Sequence, residues 1–249
     1  MVKRLFEDLL AAFQFLTRLP VGPKKFCADS GARAVKFFPV VGLAIGLVGS
    51  LFSHLLVPHL NRILSALAVL TFFVLATNAL HEDGLADAVD GLGGGWSREQ
   101  ALSIMRDSRI GSFGAIAIAL SLLARLFLLS SLPLPRFTAY VVSAHVLCRW
   151  TALPLSFFLP SARAGEGQGA QIARRVSTSG LVAGTGIGFG LVALLLGAES
   201  WVPIAIASAI TLVSGWYCWR RLGGMTGDCF GAANQLAEIA VYFCGVWNT

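Results

Sequence analysis

Long apolar segments occupy most of this chain, and they restrict its fold more than any single motif does. Several approach or exceed the roughly 18 apolar residues that cross a bilayer as a helix. Because lipid offers no hydrogen-bond partner to the backbone, each segment is predicted to be helical. The sequence therefore predicts an all-α, polytopic integral membrane helical bundle of about seven spans, at residues 37–57, 63–80, 113–132, 137–159, 180–197, 201–219 and 232–247.

The composition supports this fold class. Hydrophobic residues make up 56% of the chain and charged residues only 13%, against about 25% charged residues in an ordinary soluble domain. The five cysteines are scattered and form no CxxC pair, which argues against a disulfide framework or a zinc site. The length of 249 residues suits one membrane-embedded catalytic domain, residues 1–249, with an N-terminal arm at residues 1–35.

The N-terminal arm is predicted to begin with an amphipathic helix at the membrane interface. Apolar side chains recur there at helical spacing, at Leu5, Leu9, Phe13 and Leu16. The helix is expected to end at the Pro-Val-Gly-Pro sequence of residues 20–23, since proline and glycine interrupt helices. Glu7 and Asp8 interrupt the apolar stretch, so a signal peptide is not expected.

The distribution of positive charge predicts the topology. Fifteen of the nineteen Lys and Arg residues lie in the N-terminal arm, taken as far as Lys36, and in the polar gaps 81–112, 160–179 and 220–231. The gaps on the opposite side contain only Arg62 and Arg136. The positive-inside tendency therefore places the arm and the three polar gaps in the cytoplasm. We accordingly interpret the net charge of +6 as a topology signal and expect no nucleic-acid partner.

Several spans contain glycines at regular spacing, which is typical of closely packed membrane helices. One set is Gly42, Gly46 and Gly49, and a second is Gly184, Gly186, Gly188 and Gly190. We interpret both sets as packing positions.

An acidic motif opens the first polar gap, with the sequence His81-Glu-Asp-Gly-Leu-Ala-Asp87-Ala-Val-Asp90-Gly91. A helix would place Asp83, Asp87 and Asp90 at i, i+4 and i+7, on one face. Such like charges destabilise an isolated helix, whereas a divalent cation that prefers oxygen ligands, Mg²⁺ or Mn²⁺, would reverse the effect. The alternative is a solvated acidic loop. His81 could act as a general base or bind phosphate.

Arginines follow the acidic motif in the same gap. Arg106 and Arg109 lie at i, i+3 and could bind phosphate oxygens through charge-assisted hydrogen bonds. Carboxylates that hold a metal beside arginines that hold phosphate describe a phosphoryl-transfer site. The alternative is an internal salt-bridge network between the two groups.

Other candidate residues lie further along the chain. Asp228, in the last polar gap, is a candidate for a further metal ligand, and the helix that follows could bind an anion at its N-terminus. Glu238 lies inside an apolar segment, where ionisable residues are costly; it would contact substrate or form a buried pair. Arg149, on one helical face with His145, is its candidate partner. Glu166 could reach a substrate or belong to a flexible loop.

Together these motifs resemble the cobalamin synthase family, the adenosylcobinamide-GDP ribazoletransferases, which are integral membrane enzymes of vitamin B12 nucleotide-loop assembly. The resemblance covers nearly the whole chain. Besides the acidic motif it rests on residues 15–20 (FLTRLP), 38–42 (FPVVG), 104–111 (IMRDSRIG), 148–149 (CR), 166–167 (EG), 226–228 (TGD) and 231–232 (GA). Two positions depart from the family pattern: Glu82 between the His and the Asp, and Gln235, where a glutamate is frequent.

The resemblance implies a Mg²⁺-dependent phosphoryl transfer. A hydroxyl of α-ribazole or its 5′-phosphate would attack the phosphate attached to adenosylcobinamide, and GMP would leave. His81 or one of the clustered carboxylates would accept the hydroxyl proton. The metal ligands would be Asp83, Asp87, Asp90 and Asp228. The diphosphate would meet Arg18, Arg106 and Arg109, and Arg149, Glu166 and Glu238 complete the candidate substrate contacts.

The same resemblance implies a multi-pass protein of the bacterial inner membrane, with the lipid bilayer as a partner and an active face in the cytoplasm. It leaves an oligomer open. The product would be adenosylcobalamin or its 5′-phosphate.

Two other functions are compatible with parts of the sequence. Spaced aspartates at a membrane face also resemble the CDP-alcohol phosphotransferases, although the Asp-Gly-x-x-Ala-Arg order of that family is missing here. An ion-coupled transporter could use the intramembrane residues Arg125, His145, Arg149 and Glu238. A transporter would place its binding groups near the midplane between repeated halves. This chain concentrates its polar groups in the cytoplasmic gaps and has no convincing repeat.

Overall fold

The computed structural model describes residues 2–21, 28–163 and 176–247 of the chain. Twelve α-helices lie within these ranges, and the predicted all-α fold is confirmed. We number the helices in chain order: α1 (Val2–Leu16), α2 (Ala28–Ala34), α3 (Phe38–Leu56), α4 (Arg62–Ala76), α5 (Leu80–Gly94), α6 (Arg98–Ile104), α7 (Ser112–Ser131), α8 (Leu134–Trp150), α9 (Ala152–Phe158), α10 (Thr178–Leu196), α11 (Trp201–Leu222) and α12 (Gly227–Trp247).

Membrane-spanning character is also confirmed. By length and hydropathy, five helical stretches among the described residues could cross a membrane, and a sixth results if α4 and α5 form one bent span. One of the five, Thr178–Leu222, contains both α10 and α11. These two helices are separated at Gly197, whose positive φ of 55° is readily adopted by glycine. The predicted number of seven spans stays a prediction.

The boundary between α4 and α5 differs from the prediction. The span expected at 63–80 ends at Ala76, and the chain then turns by 82° into α5. Asn78 and Ala79, with φ values of 55° and 54°, adopt the left-handed conformation that ends a regular helix. The acidic motif, expected in a gap between spans, is therefore a largely buried helix.

Glycines do bring several helices into close contact, as the sequence predicted. A methyl group on Gly46 of α3 would lie only 2.8 Å from Cα of Val142 in α8, and one on Gly184 would lie 3.0 Å from Cα of Lys36. The prediction is wrong for Gly186 and Gly190, where an added methyl group would meet nothing within 4 Å. These two glycines face outward from their helix.

The predicted N-terminal helix is present as α1, although it ends at Leu16 rather than at Pro20. Asp8, which is 2% exposed, accepts hydrogen bonds from Arg33 Nε and Lys36 Nζ, both at 3.0 Å. These two partly buried ion pairs attach α1 to the segment that leads into α3. Leu5 and Phe6 remain exposed on the helix, as an interfacial position would require.

Candidate active site

Two arginines join the polar gaps at one end of the bundle. Arg98 donates from Nε to the Leu222 carbonyl oxygen at 2.7 Å and from Nη2 to that of Ala162 at 2.9 Å. Arg221 donates from Nη2 to the Gly95 carbonyl oxygen at 2.7 Å. Cations that satisfy the free carbonyls at helix ends stabilise those ends. Segments from all three gaps therefore meet in one place.

A short pairing of extended backbone completes this end. The amide of Ala162 donates to the Met225 carbonyl oxygen at 2.9 Å, and the Met225 amide donates to that of Pro160 at 2.8 Å. Gly224 lies so close that a methyl group there would be 3.0 Å from the Ala162 nitrogen. The pairing places Arg163 beside the start of α12.

The backbones of helices α5 and α12 come into close contact at Gly84 and Gly231. A methyl group on Gly84 would lie 3.2 Å from both the Asp228 carbonyl oxygen and Cα of Gly231. Asp83 precedes Gly84 directly and Asp87 follows it by almost one turn. The contact therefore brings Asp228 of α12 next to the two aspartates of α5.

We call Asp83, Asp87, Asp228 and Arg163 the rim cluster. Asp83 is exposed, and Asp87 and Asp228 are half-buried. Asp83, Asp228 and Arg163 all act electrostatically on the Asp87 carboxylate. Arg163 donates from Nη2 to Asp228 Oδ2 at 2.8 Å. The cluster thus gathers three carboxylates and one guanidinium at the surface of the polar end.

Sequence reasoning missed Arg163. It was counted only as one positive charge in the 160–179 gap, because its contact with Asp228 depends on the backbone pairing with Met225. Residues in irregular segments give no periodic signal. Its spacing from the Thr-Gly-Asp sequence, 65 residues along the chain, offered no clue to the contact.

Asp90 has a different environment from Asp83 and Asp87, with which it was predicted to share a helical face. It is 7% exposed, and its oxygens accept hydrogen bonds from the amides of Gly111 at 2.7 Å and Gly114 at 2.8 Å. A carboxylate at a helix N-terminus satisfies free amides and complements the helix dipole. Asp90 therefore caps α7, and we leave it out of the ligand set proposed below.

Glu238 belongs to a second group that we call the polar core, formed by Arg125, Glu82, Glu238, Gln235 and Ser121. Arg125 donates from Nη1 to Glu82 Oε1 at 2.6 Å and from Nε to Glu238 Oε1 at 2.9 Å. Arg125 and Glu238 are 1% and 2% exposed. Of the two interpretations of Glu238, buried pairing is the one that this geometry supports.

The prediction that Glu238 pairs with Arg149 is wrong. Arg149 instead lies against its own helix, with Nη1 at 2.8 Å from His145 Nδ1 and 3.3 Å from Cys148 Sγ. Both α7 and α8 pack on α12, and it is Arg125 of α7 that reaches Glu238. Arg149 is 2% exposed, so it lies in the interior and not on the surface that a substrate would meet.

Glu82 and Gln235, the two positions that depart from the family pattern, contact each other in the polar core. Gln235 donates from Nε2 to Glu82 Oε1 at 3.1 Å and accepts from Ser121 Oγ at 2.8 Å. Arg125 also donates to Gln235 Oε1 at 3.2 Å. Arg125 therefore meets one carboxylate, at position 82, and one amide, at position 235. A glutamine at 82 with a glutamate at 235 would offer it the same two kinds of group.

His81 lies in the interior as well. It is 7% exposed, and the charges that act on it include those of the buried Arg125 and Arg149. Its side chain therefore faces the buried arginines of the bundle rather than the rim cluster.

The remaining candidate arginines lie exposed at or near the polar end. Arg18 donates its backbone amide to the Ala76 carbonyl oxygen at 3.0 Å, where α4 ends. Arg106 is exposed. Arg109 pairs with Asp107 at 2.6 Å, and its hydrogen bonds lower the pKa of Asp107 to about 2. Glu166 lies outside the described residues.

The donor chemistry of the rim cluster fits a hard divalent cation. Mg²⁺ retains several waters and binds proteins through one or two carboxylates together with substrate phosphates. Asp83, Asp87 and Asp228 offer such oxygens at an accessible surface.

A second arrangement also resembles a metal site. His145, Cys148 and Glu238 bring potential ligand atoms within 4.8 Å of one another, which the rim carboxylates of the described chain do not. However, the Arg149 guanidinium contacts both His145 and Cys148. A fixed positive charge beside those ligands opposes a metal ion, so we assign no metal there.

Fold and site together define the class of protein: an α-helical integral membrane protein with carboxylates and arginines gathered at one end. A family model described as "Cobalamin-5-phosphate synthase" matches residues 8–246. The chain belongs to this family, as the sequence motifs indicated, and it is a transferase of cobalamin biosynthesis.

The chain also aligns with curated relatives over nearly their whole length. The adenosylcobinamide-GDP ribazoletransferase of Mesorhizobium japonicum is 39% identical over 246 residues, covering 96% of this chain and 92% of the relative. The protein of the same name from Azorhizobium caulinodans is 41% identical, covering 95% and 94%. That of Vibrio parahaemolyticus is 35% identical, covering 95% and 90%. No solved structure matches the chain.

Proposed function

We propose that this chain transfers the adenosylcobinamide phosphate of adenosylcobinamide-GDP to α-ribazole or its 5′-phosphate, with Mg²⁺, and releases GMP. The names of the curated relatives support the substrate. The observation that carries the site assignment is the contact of Gly84 with the backbone of Asp228, which joins carboxylates from two distant segments. Phosphoryl transfer requires mainly positioning and charge neutralisation, and both are available at this rim.

In this proposal Asp83, Asp87 and Asp228 hold the cation. Bound there, Mg²⁺ would neutralise charge on the diphosphate oxygens. The exposed side chains of Arg106 and Arg109, joined by Arg18, bind the same diphosphate from the surrounding loops. Arginine suits this role because its planar guanidinium can donate two parallel hydrogen bonds to a phosphate.

A rim carboxylate is the proposed acceptor of the proton. The attacking hydroxyl oxygen forms a bond to the phosphorus attached to cobinamide, and the bond from that phosphorus to the bridging oxygen breaks. GMP leaves with the bridging oxygen, and the hydroxyl proton passes to the carboxylate. We prefer a rim carboxylate to His81 because His81 is enclosed among the buried arginines.

We further propose that the rim faces the cytoplasm of a bacterial inner membrane. The charged segments joined by Arg98 and Arg221 form one end of the bundle, and an excess of Lys and Arg marks the cytoplasmic side. The transporter alternative is disfavoured because the polar core is a closed hydrogen-bonded group. A pathway for ions would need polar groups open to water.

The direct test is an assay with purified protein in liposomes. We expect adenosylcobinamide-GDP, α-ribazole 5′-phosphate and Mg²⁺ to give GMP and the joined corrinoid, and a chelator to stop the reaction. Replacing the first substrate with a CDP-alcohol should release no CMP. Failure to form the joined product, or CMP release at a comparable rate, would overturn the proposal.

A further inference from the structure

We propose that Arg163 competes with the divalent cation for Asp228 and, once displaced, binds a phosphate of the nucleotide substrate. It would thus be a further substrate-binding residue that neither the motifs nor the family resemblance assigned. The inference rests on the function proposed above, because it concerns the same rim cluster.

The first support is the position of the guanidinium. Arg163 Nη2 lies 2.8 Å from Asp228 Oδ2, and the two side chains are 14% and 17% exposed. A cation that takes this oxygen as a ligand would stand close to the guanidinium, and the two positive charges would repel each other at that distance. The guanidinium and the cation therefore exclude each other at Asp228.

The second support is the unused hydrogen-bonding capacity of Arg163. Its Nε is buried and has no hydrogen-bond partner among the described residues. A guanidinium has five N–H donors arranged to hold an anion through two parallel bonds. A buried donor without a partner is unfavourable, and a phosphate oxygen would satisfy it.

The third support is the balance of charge. Among the described residues of the rim cluster, Asp83, Asp87 and Asp228 contribute three negative charges and Arg163 contributes one positive charge, which leaves two negative charges uncompensated. A divalent cation would restore neutrality within the cluster. The substrate diphosphate adds negative charge of its own, and the displaced guanidinium lies at the right place to meet it.

The backbone limits how far Arg163 can move. Ser161 Oγ donates to the Arg163 carbonyl oxygen at 2.6 Å and accepts from the Arg163 amide at 3.2 Å. The preceding residues are fixed by the pairing with Met225. Only the side chain needs to rotate, so the guanidinium stays within reach of the rim.

The test combines metal binding with substrate kinetics in Arg163→Ala and Arg163→Lys. Free Mn²⁺ is measured by electron paramagnetic resonance during titration of the full-length protein in detergent, without substrate. We expect Arg163→Ala to bind Mn²⁺ about three- to tenfold more tightly, because the competing ion pair is removed. The KM for adenosylcobinamide-GDP should rise about tenfold or more, while the KM for α-ribazole 5′-phosphate stays the same.

Arg163→Lys keeps the charge but not the planar fork. It should bind Mn²⁺ within about twofold of the unsubstituted protein and still show the raised KM for adenosylcobinamide-GDP. The matched control is Arg136→Ala, which removes an ion pair of the same 2.8 Å length, to Glu199, far from the rim. That variant should change neither quantity.

Weaker or unchanged Mn²⁺ binding in Arg163→Ala would overturn the competition, and an unchanged KM would overturn the phosphate contact. If the unsubstituted protein forms no joined product, the proposed function fails. The Mn²⁺ titration still decides the competition in that case.

Discussion

The rim cluster and the polar core contain the same kinds of residue, yet the structure treats them differently. In the polar core one arginine meets two carboxylates, and every member is buried and hydrogen-bonded within the group. In the rim cluster one arginine accompanies three carboxylates, of which Asp83 is exposed whereas Asp228, like Arg163, is only partly exposed. The first arrangement satisfies most of its hydrogen-bonding atoms internally, although Glu82 Oε2 has no partner among the described residues. The second has an excess of negative charge that a cation and a phosphate substrate can use.

Consecutive residues of α5 supply both groups. Glu82 points into the polar core and Asp83 into the rim cluster, because neighbouring side chains on a helix differ in direction by about 100°. The absence of a side chain at Gly84, the next residue, allows α12 to pack closely against α5 at this point. The comparison therefore predicts that substitutions only one residue apart will affect different properties, namely stability at Glu82 and catalysis at Asp83.

The largest effect is expected at the rim. Asp83→Asn and Asp87→Asn should each reduce Mg²⁺-dependent GMP release about a hundredfold or more, because each removes a proposed ligand of the metal. Thermal unfolding in detergent should be nearly unchanged, since Asp83 is exposed and Asp87 is half-buried.

Glu99→Gln is the matched control for these two variants. It removes a negative charge that is 78% exposed on α6 and lies outside the rim cluster. Its turnover should equal that of the unsubstituted protein. Normal turnover in Asp83→Asn or Asp87→Asn would show that the rim carboxylates are not the metal ligands.

A smaller effect, on stability instead of chemistry, is expected in the polar core. Arg125→Met leaves two buried carboxylates without their cationic partner and should destabilise the protein by about 3 kcal/mol. Unfolding followed by circular dichroism in mixed micelles would measure it. The apparent Mg²⁺ affinity of the folded fraction should stay the same, and a changed affinity would show that the two groups are coupled.

The contact between Glu82 and Gln235, the two positions that depart from the family pattern, provides a second test of the polar core. Glu82→Gln alone should cost about 1–3 kcal/mol of stability, because Arg125 loses a carboxylate partner. Adding Gln235→Glu returns a carboxylate to the place where Arg125 already donates at 3.2 Å, and most of the loss should be recovered. Additive losses in this double-mutant cycle would mean that the two positions do not compensate for each other.

A small loss of stability is expected at the contact between α5 and α12. Gly84→Ala inserts a methyl group 3.2 Å from the Asp228 carbonyl oxygen and should cost about 1–2 kcal/mol through overpacking. It should also weaken Mg²⁺-dependent turnover by separating the aspartates. Gly190→Ala, where the methyl group meets open space, is the control. Equal behaviour of both variants would contradict the close approach.

Periodicity and charge in the sequence were enough to predict the helical membrane fold and the meeting of the polar gaps. They also singled out Asp83, Asp87 and Asp228, which the structure places near one another, because acidic residues are conspicuous in so apolar a chain. Their role as metal ligands stays a prediction. The capping role of Asp90 and the turn at Asn78 and Ala79 could not be predicted. Both depend on how α4, α5 and α7 pack, and no local pattern specifies that.

The partners of the buried charges were equally inaccessible to sequence reasoning. Arg125 and Arg149 are both arginines within apolar spans, and the sequence predicted Arg149 as the partner of Glu238. Since α7 and α8 both pack against α12, the partner of Glu238 depends on how each helix is rotated, which the sequence does not specify. Arg163 was missed for a related reason, since an irregular segment brings it to Asp228.

The central claim is that carboxylates of α5 and α12 share one metal ion. Cleavage of the backbone by a bound metal measures this most directly. Fe²⁺ replaces Mg²⁺ in the purified protein, and ascorbate with peroxide then generates radicals that cut the backbone near the ion. We predict cuts both around Asp83–Asp87 in α5 and around Asp228 in α12, suppressed by excess Mg²⁺. Cuts confined to one of these segments, or located around His145–Cys148, would contradict the account.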